Sequence, residues 1–205
     1  MNYLAHCCLV PPTAQALAGA LLGDLIHGPD LSGLPFEVAR SIRLHRAIDR
    51  YTDHHPEVMA AKNLLQPPLR RYAGIIVDVA FDHLLSRSFM HWHPEQALPE
   101  LARAVYAAIA DYRLLAPAKT RARLDYIASH RLLEKYGQAE SIGKALTGIG
   151  SRFKRDNPLS DAGPVAIALL PAWQPQFERF YPELKQFAAD NWQQLGTVMI
   201  NADRA

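Results

Sequence analysis

The stretch GIIVDVAFDHLLSR at 74–87 limits the possible fold more than any other part of the chain. Ile75, Ile76, Val77, Val79, Ala80, Phe81, Leu84 and Leu85 leave it almost no polar face, so a helix here belongs in the middle of a domain. It nevertheless carries Asp78 and Asp82 at i, i+4, with His83 directly after. Two carboxylates and an imidazole taken inside are costly unless they are paired or metal-bound. Few Lys or Arg stand nearby to neutralise them.

A second stretch, SIRLHRAIDRYTDHHP at 41–56, supplies matching groups. His45, Asp49 and Asp53 recur at i, i+4, i+8 and so share one helix face. Ile42 and Ile48 give apolar contacts on the same cylinder, and Arg43, Arg46 and Arg50 form a second polar stripe. Carboxylate oxygens suit hard divalent cations, and imidazole suits Mn, Fe or Zn. The alternative is structural, with Asp49 and Asp53 paired to Arg46 and Arg50 on neighbouring turns. Two buried helices with such sets would make one polar spot in an apolar core, which is the expected site.

Asp24 is the only charge in TAQALAGALLGDLI at 13–26, a helix for which Thr13 is a good N-cap. It falls near the C-terminal end, where the macrodipole disfavours a carboxylate, so another group must compensate it. Gly19 and Gly23, at i, i+4, allow close approach of a second helix. His6 lies in a short apolar segment, Asn2 to Val10, and by itself reads as a core histidine.

Further helices are expected from Leu34-Pro35 through the 41–56 stretch, then over 57–65, 69–92, 98–115, 121–136, 140–155 and 161–170. A last one is expected from Pro171 to about Leu195, with Pro171 kinking or dividing the C-terminal pair. No alternating run of strand length appears. The reading is all-α: a compact bundle of about seven to nine helices, with residues 1–205 forming one domain.

Composition sets outer limits. The chain has 205 residues, 49% hydrophobic and 20% charged, with a net charge of +2, too balanced to indicate nucleic acid. It has no apolar run long enough to span a membrane and no secretory leader pattern. The two cysteines, Cys7 and Cys8, are adjacent and offer no disulfide framework, so a reducing cytoplasm is the expected location.

With these residues in view, the chain resembles the acyl carrier protein phosphodiesterases, also called acyl carrier protein hydrolases. The likeness is carried by MNYLAH at 1–6, LLGD at 21–24, LHRAIDRYTDHHPEV at 44–58 and IIVDVAFDHLLSR at 75–87, and it extends to FYPEL at 180–184. That family looks like a variant of the all-helical HD-type metal phosphohydrolases, so the resemblance implies an HD-domain-like bundle. It also implies hydrolysis of the phosphodiester joining 4′-phosphopantetheine to a serine of acyl carrier protein, with Mn²⁺ or Mg²⁺. The positions it implicates are His6, Asp24, His45, Asp49, Asp53, Asp78, Asp82 and His83.

From the resemblance and the needs of phosphodiester hydrolysis, Asp24, Asp49, Asp82 and His83 are expected to hold the cation. His6, His45 and Asp78 are expected to be catalytic, with Asp53 supporting them and Arg46 clamping the phosphate. Arg40, Arg43, Arg70, Arg71 and Arg87 are the expected contacts to an acidic carrier protein. The Gly19/Gly23 helix and the Phe81 to Phe89 surface are possible walls for the pantetheine arm. Two rivals share these residues: a metal phosphohydrolase of nucleotides or small phosphate esters, and a non-catalytic helical binder of carrier proteins.

Overall fold

In a computed structural model of the chain, residues 2–202 are described, with side chains through Met199. Eleven α-helices follow one another: α1 Tyr3–Cys8, α2 Ala14–Leu22, α3 Phe36–His54, α4 Pro56–Asn63, α5 Ala73–Arg87, α6 Phe89–Trp92, α7 Leu98–Tyr112, α8 Ala118–Ser129, α9 Leu132–Lys135, α10 Glu140–Gly150 and α11 Ala162–Ala202. No strand occurs among the described residues, in line with the all-α reading. Several expected helices are shorter pieces. The expected 69–92 helix is a 3-10 turn, then α5, then a break at Ser88 before α6. The 121–136 helix is split where Arg131 adopts a left-handed backbone with φ 49°.

The C-terminal helix departs in the opposite sense. α11 runs through Pro171, Pro175 and Pro182 without dividing. A proline deprives the carbonyl four residues earlier of its partner. Here those carbonyls belong to Ile167, Pro171 and Glu178, which are exposed, as are the three prolines, so water can take the lost bonds. The opposite stripe holds the fold together: Trp173, Phe177, Phe180, Tyr181, Leu184 and Ala188 are all buried. Phe177 meets Phe81 of α5 edge to face at 5.4 Å, and Trp173 Nε1 donates to the Ala61 carbonyl of α4 at 3.0 Å. His93 is half-buried and lies 2.7 Å from the Tyr181 hydroxyl.

α5 is the buried central helix that its sequence implies, packed among α1, α4, α10 and α11. α2 and α3 form the most extensive helix contact. A Cβ on Gly19 would stand 2.5 Å from Ser41 Cβ and 2.6 Å from the Val38 carbonyl, so glycine is what admits α3 at this distance. Ser41 Oγ uses the approach to donate to the Ala16 carbonyl at 2.7 Å. No helix among the described residues is long and apolar enough to cross a membrane.

Candidate functional site

α1, α2 and α3 bring together four of the expected residues. α2 stops at Leu22 rather than reaching Ile26, which leaves Asp24 just beyond its end and 40% exposed. One turn earlier, the Ala20 carbonyl accepts a hydrogen bond from His45 Nδ1 at 2.7 Å. A carbonyl can only accept, so Nδ1 carries the proton and Nε2 faces the other way, toward carboxylates. His45 Nε2 lies 3.4 Å from Asp24 Oδ1 and 3.2 Å from Asp49 Oδ2. His6, from α1, stacks on His45 with ring centroids 3.7 Å apart, and its Nε2 lies 3.1 Å from Asp49 Oδ1. Gly23 makes room for this pair, since a Cβ there would fall 2.3 Å from the His45 ring.

The electrostatics follow from burial and pairing. Burial and the neighbouring His45 push His6 down to about 4, so it is neutral. Burial works against charge on His45 too, but Asp24 and Asp49 overcome it and raise it to about 9. Burial opposes charge on Asp24 as well, yet His45 and Arg123 hold it at about 2. Asp49, despite its own burial, is held well below the usual carboxylate range by the two imidazoles. The compensation that a carboxylate at the end of α2 requires is therefore His45 and Arg123.

Asp24 and Asp49 stand in the wall of a cavity of about 420 Å³, with the imidazoles behind them. Asp78 of α5 and Asp53 of α3 line the same cavity. Asp53 also pairs with Lys62 at 2.9 Å. Ile75, Val79, Ile149 and Phe153 form an apolar side. Arg123 of α8 and Arg152, just past α10, line it too. Neither arginine was singled out from the sequence. The basic run at 152–155 was the one visible signal, and nothing local to Arg123 distinguishes it from an exposed helical arginine.

The adjacent pair Asp82-His83 lies elsewhere. The Asp82 carboxylate is fully buried and accepts from three backbone N–H groups at the start of α1: Leu4 at 2.8 Å, Asn2 at 3.2 Å and Ala5 at 3.4 Å. It caps α1 from another helix, because Asn2 makes no side-chain cap of its own. Burial pushes its carboxyl up to about 7 against the pull of those N–H groups. Successive helical residues point in different directions, and His83 Nδ1 bonds the Tyr136 carbonyl at 2.7 Å. The structure thus does not bring either residue to the His6–His45–Asp49 cluster.

The expected arginines are also placed differently. Arg46 donates to the carbonyls of Ile26 and Gly28, at 2.7 and 2.8 Å, and so ties down the loop after Asp24 instead of clamping a phosphate. Arg40 bonds the Trp192 carbonyl and lies over the Trp192 ring, on α11. Arg70 bonds Asn63, Arg71 is exposed on the 3-10 turn before α5, and Arg43 is half-buried on α3. Arg87 lines a separate hollow with Met90 and Pro99. None of these five lines the cavity of Asp24 and Asp49. Phe81 is buried in the core, while Phe89 lines the same separate hollow as Arg87, not the cavity of Asp24 and Asp49.

Among the described residues, His6, His45 and Asp49 offer three ligand atoms within 4.8 Å of one another. Both Nε2 atoms are buried and lack a well-formed hydrogen bond, although carboxylate oxygens stand within 3.4 Å. Mixed imidazole and carboxylate donors that converge without satisfying one another fit a divalent cation.

Fold and cluster together define an all-helical protein with a paired-histidine, carboxylate centre behind one cavity. The family described as "Acyl carrier protein phosphodiesterase" matches residues 1–184, and the chain belongs to that family. A relative of that name from Enterobacter sp. (strain 638) is 35% identical over 184 residues, covering 90% of this chain and 95% of the relative. Those from Klebsiella pneumoniae subsp. pneumoniae and Serratia proteamaculans are each 32% identical, covering 92% and 93% of this chain and 97% and 98% of theirs. No solved structure matches the chain.

Proposed function

We propose that this protein is a metal-dependent phosphodiesterase that hydrolyses the 4′-phosphopantetheine arm from the serine of holo-acyl carrier protein. The products are the apo-carrier and 4′-phosphopantetheine. Family membership supports the reaction, and one observation carries the chemistry: His6, His45 and Asp49 converge beside a cavity large enough for the arm's phosphate end.

His6, His45 and Asp49, with Asp24 beside them, would hold Mn²⁺ or Mg²⁺. Bound there, such a cation supplies Lewis acidity toward a phosphoryl oxygen and makes water more acidic. The Ala20 carbonyl holds the His45 ring in one orientation, and the stacked His6 ring keeps it from turning. Asp78, in the cavity wall, is the carboxylate that takes a proton from the attacking water at an Oδ atom. The apolar side formed by Ile75, Ile149 and Phe153 sheds water from the reacting groups and offers contact to the pantetheine arm. Kinship with HD-type phosphohydrolases rests on the helical fold and the mixed donors, with the ligands here coming from separate helices.

The test is incubation of holo-carrier protein with the purified protein and Mn²⁺, reading the carrier's mass. Loss of the phosphopantetheine mass is the expected result. An unchanged carrier beside a hydrolysed nucleotide would replace this substrate with a small phosphate ester. Purified protein that retains no divalent metal and cleaves neither substrate would leave only a binding role.

A further inference from the structure

The cavity that Asp24 and Asp49 border has four carboxylates in its wall, Asp24, Asp49, Asp53 and Asp78. A phosphodiester is an anion, and a wall of that charge repels it even when a divalent cation neutralises part of it. Attraction must come from cations in the same lining. Two side chains meet that requirement, Arg123 from α8 and Arg152 from the segment after α10.

Arg123 is held in a distinctive way. Its guanidinium lies over the Tyr3 ring, 5.1 Å from the centroid, which fixes its plane while using none of its N–H donors. Its contact with Asp24 Oδ2 is long, at 3.5 Å. Arg123 Nε is buried with no hydrogen-bond partner, and the buried Tyr3 hydroxyl has only the Arg123 guanidinium near it, without a well-formed bond. Leaving such groups unpaired is costly, and it is common where a ligand completes the set. Both arginines line the cavity, and both act electrostatically on the neighbouring Tyr3.

We propose that Arg123 and Arg152 form the phosphoryl-binding subsite of this centre. The planar guanidinium of Arg123 matches two oxygens of a phosphate in a bidentate pair, and Arg152 adds a second charge at the cavity mouth. The assignment rests on the phosphodiesterase reading and replaces Arg46, whose donors are spent on the loop at 26–28.

The experiment is calorimetric titration of the Mn²⁺-loaded protein with 4′-phosphopantetheine and, separately, with pantetheine, which lacks the phosphate. Wild type is expected to prefer the phosphorylated ligand by tenfold or more, and Arg123→Ala to lower that preference about tenfold, with pantetheine affinity unchanged. Arg123→Lys, which keeps the charge and the fold but not the fork, should lose most of the same preference. Mn²⁺ affinity should move less than twofold in both variants, which separates phosphate binding from support of Asp24. A preference retained in Arg123→Lys and in Arg123→Ala overturns the subsite. If holo-carrier protein is not cleaved while the preference and its loss persist, the substrate reading fails and the subsite stands.

Discussion

His6 of α1 and His45 of α3 lie face to face, 3.7 Å between centroids and 13° from parallel. Both Nε2 atoms are aimed at opposite oxygens of one carboxylate, Asp49. Asp49→Ala is therefore expected to keep the fold and to lower Mn²⁺ affinity and turnover by at least about a hundredfold. Metal content after dialysis and steady-state cleavage of holo-carrier protein check this. Tight metal retention in the variant would remove Asp49 from the centre.

Gly23 gives a second handle on the same geometry. A methyl group there would overlap the His45 ring at 2.3 to 2.7 Å, while the helical backbone of residue 23 suits alanine. Gly23→Ala should displace the imidazole by about 1 Å and cost about a hundredfold in turnover, in a protein that still unfolds cooperatively. Activity and a thermal melt measured together test it. Wild-type turnover in Gly23→Ala would show that the ring's place does not matter.

Asp82 should behave in the opposite manner. Asp82→Ala leaves three N–H groups at the start of α1 without acceptors inside the protein. The expected loss is about 2 to 3 kcal/mol of stability, read by urea denaturation. At low temperature, where the variant stays folded, Mn²⁺ affinity per folded molecule should be close to that of wild type. A stable Asp82→Ala protein that no longer binds metal would return Asp82 to the ligand set.

The metal-free protein should also show a pH signature. His45 is raised from its ordinary 6.5 to about 9, so the folded state binds a proton more tightly than the unfolded chain does. Its contribution is complete below about pH 6.5 and is lost as pH rises through about 9, on the order of 3 kcal/mol. His6, lowered to about 4, acts on the acid side, favouring the fold more as pH rises from 4 to 6.5. Asp82, raised to about 7, opposes it there. The alkaline limb is therefore the diagnostic one. Chelator-treated wild type should lose stability between pH 6.5 and 9, and His45→Gln should not.

Much of this was legible in the residues. Periodicity located α3, α5 and α7, the Gly19/Gly23 pair announced a close contact with some second helix, and the isolated charge at Asp24 called for a partner. The structure turns Asp82 away from the cluster for a definite reason. A buried carboxylate needs compensation, but sequence cannot tell a metal from backbone N–H groups of a helix far away in the chain. Pro171 as a divider misled similarly, because a proline's effect depends on which face of its helix meets water.

The chain's own pattern determined an all-helical fold, a buried α5 and the group of acids and histidines from which a centre could be drawn, since these depend on spacings within single helices. Tertiary structure decided which of them meet. It placed His6 on His45, turned Asp82 to the start of α1, tied Arg46 to a loop and brought Arg123 to the cavity. Such choices depend on how helices distant in sequence pack together, and no local periodicity records that.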